Sequence, residues 1–441
     1  MESYIQEDYV CNTVIDFEKF CDYIAANKPQ TTKRGHLPRQ ACLEINQNSV
    51  HPYEMLKKNP FMDDYPSILL WFQLGLEMGL LEYNNDHKGK PTLEVSENYA
   101  RYKVLNGFTK YFAFFSSWYF DLNHDSIYSD NIKREMDIFG GIGKFFEILC
   151  RWKDHCWIRR DDQFNRYKGT RDAQWFLQLL MKYYPQFLRH FMNLSWIECH
   201  EDVIAKDAYY GGGPGVAIQS MRITGLGLLM ARASEKRHFS WVNKFNKSNF
   251  FLMSDSEKTE YYKTMKAIEK GKEGMLDPFI ACFPPGSIDL DTLDSLFNTS
   301  HMDKPAAAYD FRLTHGRNFS CVIRCSSLHT FEDLHYAIQD ALNFDNDHLY
   351  SFFLDGKQYS NNCVNCPDAH KYDSPTTDAY TLADARLRNK QQILYLFDYG
   401  DQWEFKLTVT FAGESTEVPD TPVILKTKGE PPEQYPSWDE E

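Results

Sequence analysis

The chain has 441 residues, 43% of them hydrophobic and 15% aromatic, with a formal net charge of −14. That length exceeds one ordinary core and points to two or three domains, and the apolar content excludes a disordered chain. The opening MESYIQEDYVCNT lacks the basic start and apolar core of a signal peptide, and no run approaches ~18 apolar residues, so no membrane span is expected. Eleven cysteines, an odd number at wide spacings, read as reduced thiols in a cytoplasmic protein.

The charge is uneven. From Ala306 to the end, 11 Lys/Arg stand against 22 Asp/Glu, a net of −11 that leaves only −3 for the remainder. An acidic C-terminal domain repels phosphate, because nucleic-acid affinity comes largely from Lys and Arg displacing counterions. A nucleic-acid partner is therefore expected through the N-terminal two-thirds, and a protein partner is the other expectation.

In chain order, Asp16 to Ala25 reads as a short helix with Phe17, Phe20, Ile24 and Ala25 on one side. The segment from Lys28 to Arg39 is basic, with Lys33, Arg34 and Arg39 as candidate phosphate contacts and a solvated linker as the plainer reading. Pro38 suits the first turn of a second helix reaching about Asn46. Pro66 to Gly79 is a dense apolar helix, followed by short strands at Leu80–Tyr83 and Leu93–Val95. Helix and hairpin together outline a winged helix, but the helix offers no Lys or Arg to base edges, so a structural unit is favoured over a DNA reader.

Asn106 to Tyr119 is aromatic core. Between Lys144 and Arg171 eight basic residues face four acids, with Trp152, Trp157, Phe164 and Tyr167 interleaved. Basic groups beside aromatic platforms suit single-stranded nucleic acid, making Arg159, Arg160, Arg166 and Lys168 candidate contacts. Asp154, Asp161 and Asp162 are alternative partners for these arginines. Ala173 to Phe191 reads as a helix broken at Pro185, Leu194 to Cys199 as a strand, and Ile218 to Ala231 as the close of this second winged-helix-like unit. The expected domains are 1–130, 131–300 and 301–441.

The last domain starts at Tyr309. Tyr309–Leu313 and Phe319–Cys325 read as a hairpin. Thr330 with Asp333 caps a helix whose stripe is Phe331, Leu334, Ile338, Ala341 and Leu342. Off that stripe, His335 and Gln339 stand one turn apart, able to touch each other or a common partner. His348–Leu354, Gln391–Phe397 and Trp403–Phe411 read as strands. The fold class is multidomain: a mainly α, winged-helix-like N-terminal region, then an α+β domain with a mostly antiparallel sheet and one packed helix.

Thr330-Phe-Glu-Asp-Leu-His-Tyr-Ala-Ile-Gln339, His348-Leu-Tyr-Ser-Phe352, Phe397-Asp-Tyr-Gly-Asp-Gln-Trp403 and Gly429-Glu-Pro-Pro-Glu-Gln-Tyr-Pro436 occur in this order. Together they resemble the plasmid pRiA4b ORF-3-like family over about the last 130 residues. The resemblance implies no settled biochemical role, although some members travel with mobile elements. Leu37-Pro38-Arg39 and the Tyr65-Pro66 helix resemble the N-terminal extension of longer members. Two positions depart from the pattern: Ser320-Cys321-Val322 replaces a Trp-Arg-Arg run, and Phe405 replaces a histidine two residues after Trp403.

Two clusters carry the chemical alternatives. Asp398, Asp401 and Glu404, with His335 or His348, have the oxygen and imidazole ligands of a divalent-metal site, whereas turn hydrogen bonds and packing of Trp403 explain the same residues structurally. Cys363-Val-Asn-Cys366 with His370 is half a zinc site lacking an evident fourth ligand. Free thiols without any cofactor are the favoured reading, with zinc or another divalent metal as the alternative. The expectation is a non-enzymatic binding or adaptor protein; a metal-dependent enzyme centred on the acidic cluster is the competing class.

Overall fold

The computed structural model describes residues 7–85, 90–122, 141–152, 156–164, 172–204, 215–235, 277–297, 306–316, 318–360, 362–369, 375–413 and 417–435. The chain divides into two compact units. One comprises Met1–Ala26, Arg39–Leu81 and Val95–Leu296; the other comprises Asn27–Pro38, Glu82–Glu94 and Phe297–Glu441.

The first unit is mainly helical. Its order is α1 (Glu7–Asn27), α2 (Arg39–Gln47) and α3 (Pro66–Glu77), then, past a hairpin of strands β1 (Leu81–Asn84) and β2 (Thr92–Val95) whose residues 82–94 belong to the second unit, α4 (Glu97–Lys103) and α5 (Gly107–Ser116). It continues with α6 (Gly141–Arg151), β3 (Ile158–Arg159), α7 (Ala173–Tyr183), α8 (Pro185–Asn193), β4 (Ile197–Ile204), β5 (Gly215–Ile223), α9 (Gly225–Glu235), α10 (Asp277–Ile280) and α11 (Leu290–Phe297). Proline stands in the first turn of both α3 and α8, where its fixed φ suits the helix and its missing N–H costs nothing. β3, β5 and β4 form a small antiparallel sheet.

The core of this unit is aromatic. Trp118 packs edge-on against Phe191 and Trp196, and Tyr111 donates to the Leu194 carbonyl while accepting from Trp196 Nε1 at 3.0 Å. The run Ile218 to Ala231, read from sequence as the close of the second winged-helix-like unit, is the end of β5 and most of α9. Thr224 makes the break: its N–H donates to the Trp196 carbonyl and its hydroxyl to the Ser195 carbonyl. Gly227 is required behind it, since a Cβ there would fall 2.0 Å from the Trp196 carbonyl oxygen.

The second unit is built on a seven-stranded sheet. Its strands are β6 (Ala308–His315), β7 (Phe319–Ser326), β8 (Tyr350–Phe353), β9 (Cys363–Asn365), β10 (Gln392–Phe397), β11 (Trp403–Gly413) and β12 (Val423–Lys428). They lie in the order β12-β7-β6-β11-β10-β8-β9, and every neighbouring pair is antiparallel. The helix α12 (Phe331–Leu342) packs on one face. Its start carries the capping box expected from sequence: Thr330 accepts from the Asp333 N–H while Asp333 accepts from the Thr330 N–H. Asn343, at φ 55° in the left-handed region, ends it.

Alternation divides the sheet residues. Phe311, Leu313, Ile323, Phe352, Tyr395, Phe397, Phe405 and Leu407 are essentially inaccessible and meet Phe331, Leu334 and Ile338 of α12. Each such side chain contributes about 1.5–3 kcal/mol by burial.

Two N-terminal segments belong to this unit. The Asn85 side chain donates to the Leu387 carbonyl and accepts from the Asn389 N–H, gripping the backbone on both sides of Arg388. Arg388 then lies over the Tyr83 ring, 5.4 Å from its centroid, and against Gly35, whose φ of 79° and close approach both exclude a side chain. Lys28 and Glu94 pair at 2.6 Å within the same unit.

Candidate functional site

The family-like segments come together at one end of the sheet, where two polar groups of different character form. The first is closed. His335 and Gln339, one turn apart on α12, meet on a common partner, the Tyr395 hydroxyl of β10. Gln339 Nε2 and His335 Nδ1 each lie 2.7 Å from that oxygen, and His335 Nε2 lies 2.7 Å from Asn346 Oδ1. Bond directions follow from the inventory. Asn346 Oδ1 only accepts, so Nε2 carries the imidazole proton; Gln339 donates to Tyr395, which donates to Nδ1. The His335 ring stacks flat on Tyr350 at 3.5 Å between centroids, and His335 is wholly buried. Burial pulls its pKa down to about 4, against a smaller opposing pull from Asn346, and pushes the Tyr395 phenol well above its ordinary value.

The second group is open. The turn between β10 and β11 places Asp398 at φ 55° and Gln402 at φ 53°. One Asp398 oxygen accepts from the Gly400 N–H at 2.8 Å, an Asx turn, and the other lies 3.4 Å from His348 Nε2. The same nitrogen lies 3.5 Å from Asp347 and 3.3 Å from the Tyr435 hydroxyl. Tyr435 donates to Asp347 Oδ2 at 2.8 Å, and Gln434 bonds Asp345, Asp347 and Tyr435, so the Gln434-Tyr435 dipeptide is tied to the approach to β8. The hydrogen bond to Asp347, with partial burial and the carboxylates around it, holds the Tyr435 phenol up, at about 12.

The remaining candidates separate from these groups. Asp401 and Glu404 are exposed, Glu404 on the face of β11 away from the core. Trp403 is partly buried against Phe344, Phe405 and His315. Phe405 is fully buried among Tyr395, Phe344 and His315, so the position where the family commonly has histidine is a core position in this chain. Among the described residues no group of three His, Cys, Asp or Glu side chains is placed to hold a metal ion.

Cys363 and Cys366 do not converge. Cys363 packs with Phe353, Leu394, Leu396 and Tyr399 on one side of the sheet, while Cys366 is in the main core and accepts from the Tyr350 N–H. His370 lies outside the described residues.

Of the basic candidates, Arg160 is spent. Its side chain is 4% exposed and pairs with Asp202 at 2.7 Å and Asp162 at 2.8 Å, the latter an alternative partner already visible in the sequence. Arg159 is exposed, as are Lys33 and Arg34 on a tight turn, and Arg39 lies over the Phe61 ring at 4.5 Å. Arg166 and Lys168 lie outside the described residues. Sequence reasoning missed Tyr395, Asn346, Asp347, Gln434 and Tyr435. Each is in or beside a quoted motif, but a polar atom closing a network inside a core leaves no periodic signal.

No helix among the described residues is long and apolar enough to cross a membrane. A comparison with curated proteins finds no match. Among solved structures, a crystal structure of a protein of unknown function, MM3350 from Methanosarcina mazei Go1, is similar at 20% identity, covering 29% of this chain and 72% of that one with a TM-score of 0.24. Residues 322–436 match the family described as plasmid pRiA4b ORF-3-like protein, and the C-terminal region of the chain is thereby placed with that family.

Proposed function

We propose that the protein works by binding, as an adaptor for an extended polypeptide segment, rather than by catalysis. The observation that carries this reading is β12. It is an edge strand whose six residues are all exposed, including Val423 at 44%, Ile424 at 39% and Leu425 at 46%. An apolar edge of this kind is a template for strand addition, with backbone bonds supplying affinity and alternate side chains supplying selectivity. Lys426 and Lys428 on the same strand favour a partner segment that alternates apolar and acidic residues. His335 and Gln339 of the family-like helix support the reading, since both are bonded to Tyr395 inside the core.

The helix α3 with the β1–β2 hairpin is read as a winged-helix-like structural element, because α3 is buried along nearly its whole length and carries no basic residue. The possession of a family-like C-terminal region leaves a link to mobile elements as part of the same proposal. Of the residues named for the metal-dependent alternative, Asp398 and His348 lie together, and a thermal shift with Mn²⁺ or Zn²⁺ that vanishes in Asp398→Asn would favour it over binding.

The test is selection of displayed ten-residue (roughly strand-length) peptides on the purified protein. Leu425→Pro is the counter-screen, since Leu425 sits at a bulge without a register partner on β7. Acidic, β-forming peptides that bind the parent chain and not the variant are expected. Peptides that bind both equally would sink the proposal.

A further inference from the structure

We infer that the open sheet face formed by β12, β7, β6 and β11 is a binding surface for a nucleic-acid backbone, a site beyond the edge-strand function proposed above. Strand register identifies the face. Lys426 pairs with Val322, Val322 with Arg312 and Arg312 with Thr408; one step along, Lys428 pairs with Ser320, Ser320 with Thr314 and Thr314 with Lys406. The alternate residues Ile323, Cys321, Phe311, Leu313, Leu407 and Val409 are buried under α12. The first set therefore points away from the core.

This outward set is basic within an acidic region. Arg312, Lys406, Lys426 and Lys428 are all exposed, and among the described residues none has a carboxylate at ion-pair distance. The acids of the same face are few. Asp310 is neutralised by a two-bond pair with Arg324, at 2.7 and 2.9 Å, and Glu404 stands at the far end of β11. Strand spacing sets the pattern: Arg312 and Lys426 are two strands apart, about 10 Å, and Lys406 is about 8 Å from Arg312 on the backbone. The acids elsewhere in the region act on this face only through solvent, where the screening length is about 10 Å at 0.1 M salt.

The neighbours of the four cations decide between a polyanionic nucleic acid and an acidic protein. Ser320, Val322, Thr314 and Thr408 lie between them; the row through Lys406 continues into Leu394 and Phe353, but both are buried, so no aromatic or large apolar side chain stands between the cations. A protein interface draws its energy from such anchors, whereas phosphate contacts need only positioned cations. With no aromatic platform between the cations, bases are not stacked or read there, and recognition is of the backbone.

The experiment is fluorescence anisotropy of a labelled oligodeoxynucleotide of about 20 nucleotides on the full chain, from about 50 to 200 mM salt. Arg312→Gln with Lys406→Gln is expected to weaken binding at least ~10-fold at low salt and to flatten the log–log salt dependence by roughly 1–2. Adding Lys426→Gln and Lys428→Gln should remove binding, while melting temperature stays unchanged because all four side chains are exposed. Lys33→Gln with Arg34→Gln should retain the parent affinity. The inference is overturned if the parent chain gives no saturable binding, if the double variant binds as tightly as the parent, or if polyglutamate of similar length binds as tightly as the oligonucleotide. Peptides captured at β12 should survive Arg312→Gln with Lys406→Gln, so failure at this face and failure at the edge strand are distinguishable.

Discussion

His335 and His348 sit 13 residues apart by number, and both rings lie against Phe397, at 6.2 and 5.9 Å between centroids. One is wholly buried, stacked and bonded at both nitrogens; the other is about a third exposed and faces three oxygens at longer range. The difference shows that two histidines of neighbouring family-like segments can sit in opposite environments, one closed in the core and one open to solvent. Closed hydrogen bonds in a low-dielectric core make His335 costly to disturb, while water replaces anything lost around His348.

The sharpest way to break this contrast is His335→Ala. It removes the stack on Tyr350, the bond the Tyr395 hydroxyl donates to Nδ1 and the partner of Asn346 Oδ1, so about 3–5 kcal/mol of stability should be lost, measured by urea unfolding. Acid should act on the same residue. Its folded pKa is depressed to about 4 from an ordinary 6.5, so the stabilisation is complete above pH 6.5 and is lost as pH falls toward 4. The loss approaches about 3 kcal/mol at the lower limit, and His335→Gln should flatten that part of the unfolding profile. Burial holds His190 in the helical unit lower still, at about 3, so that variant leaves a residual slope.

Tyr395→Phe deletes one oxygen from the circuit and strands Gln339 Nε2 and His335 Nδ1; about 1–3 kcal/mol is expected by the same assay. His348→Gln, by contrast, should stay within roughly 0.5 kcal/mol of the parent. A loss at His348 as large as that at His335 would erase the distinction.

The legible parts of the fold share a cause. α12 was readable because Thr330, Asp333 and an apolar stripe make local signals that agree, and α7 and α8 because Pro185 interrupts a periodic run. β12 was not readable: Val-Ile-Leu-Lys-Thr-Lys buries nothing and has a bulge after Ile424, so no alternation marks it. β9 is three residues long and depends on its pairing with β8. The charge of the C-terminal region misled in a different way. A sum over residues cannot see that successive strand positions face opposite sides, so a region at −11 still presents Arg312, Lys406, Lys426 and Lys428 together. His335 and Gln339 were picked out by their spacing, but their partner Tyr395 is distant in sequence and only the register of β10 supplies it.

The Asn85 grip on either side of Arg388 has a consequence for synthesis. The chain enters and leaves the C-terminal unit before that unit's sheet exists: residues 27–38 and 82–94 end 270 and 214 residues ahead of β6 (308 − 38 and 308 − 94). At roughly 5–20 residues per second, these segments wait about 10–50 s for the strands they belong with. Tyr83 and Gly35 wait longer still for Arg388, which lies 305 and 353 residues downstream (388 − 83 and 388 − 35), and the C-terminal unit completes a structure begun near the start of the chain. A fragment beginning at residue 301 would lack both segments and is expected to fold less stably than the same residues in the full chain, which a comparison of their urea midpoints would show.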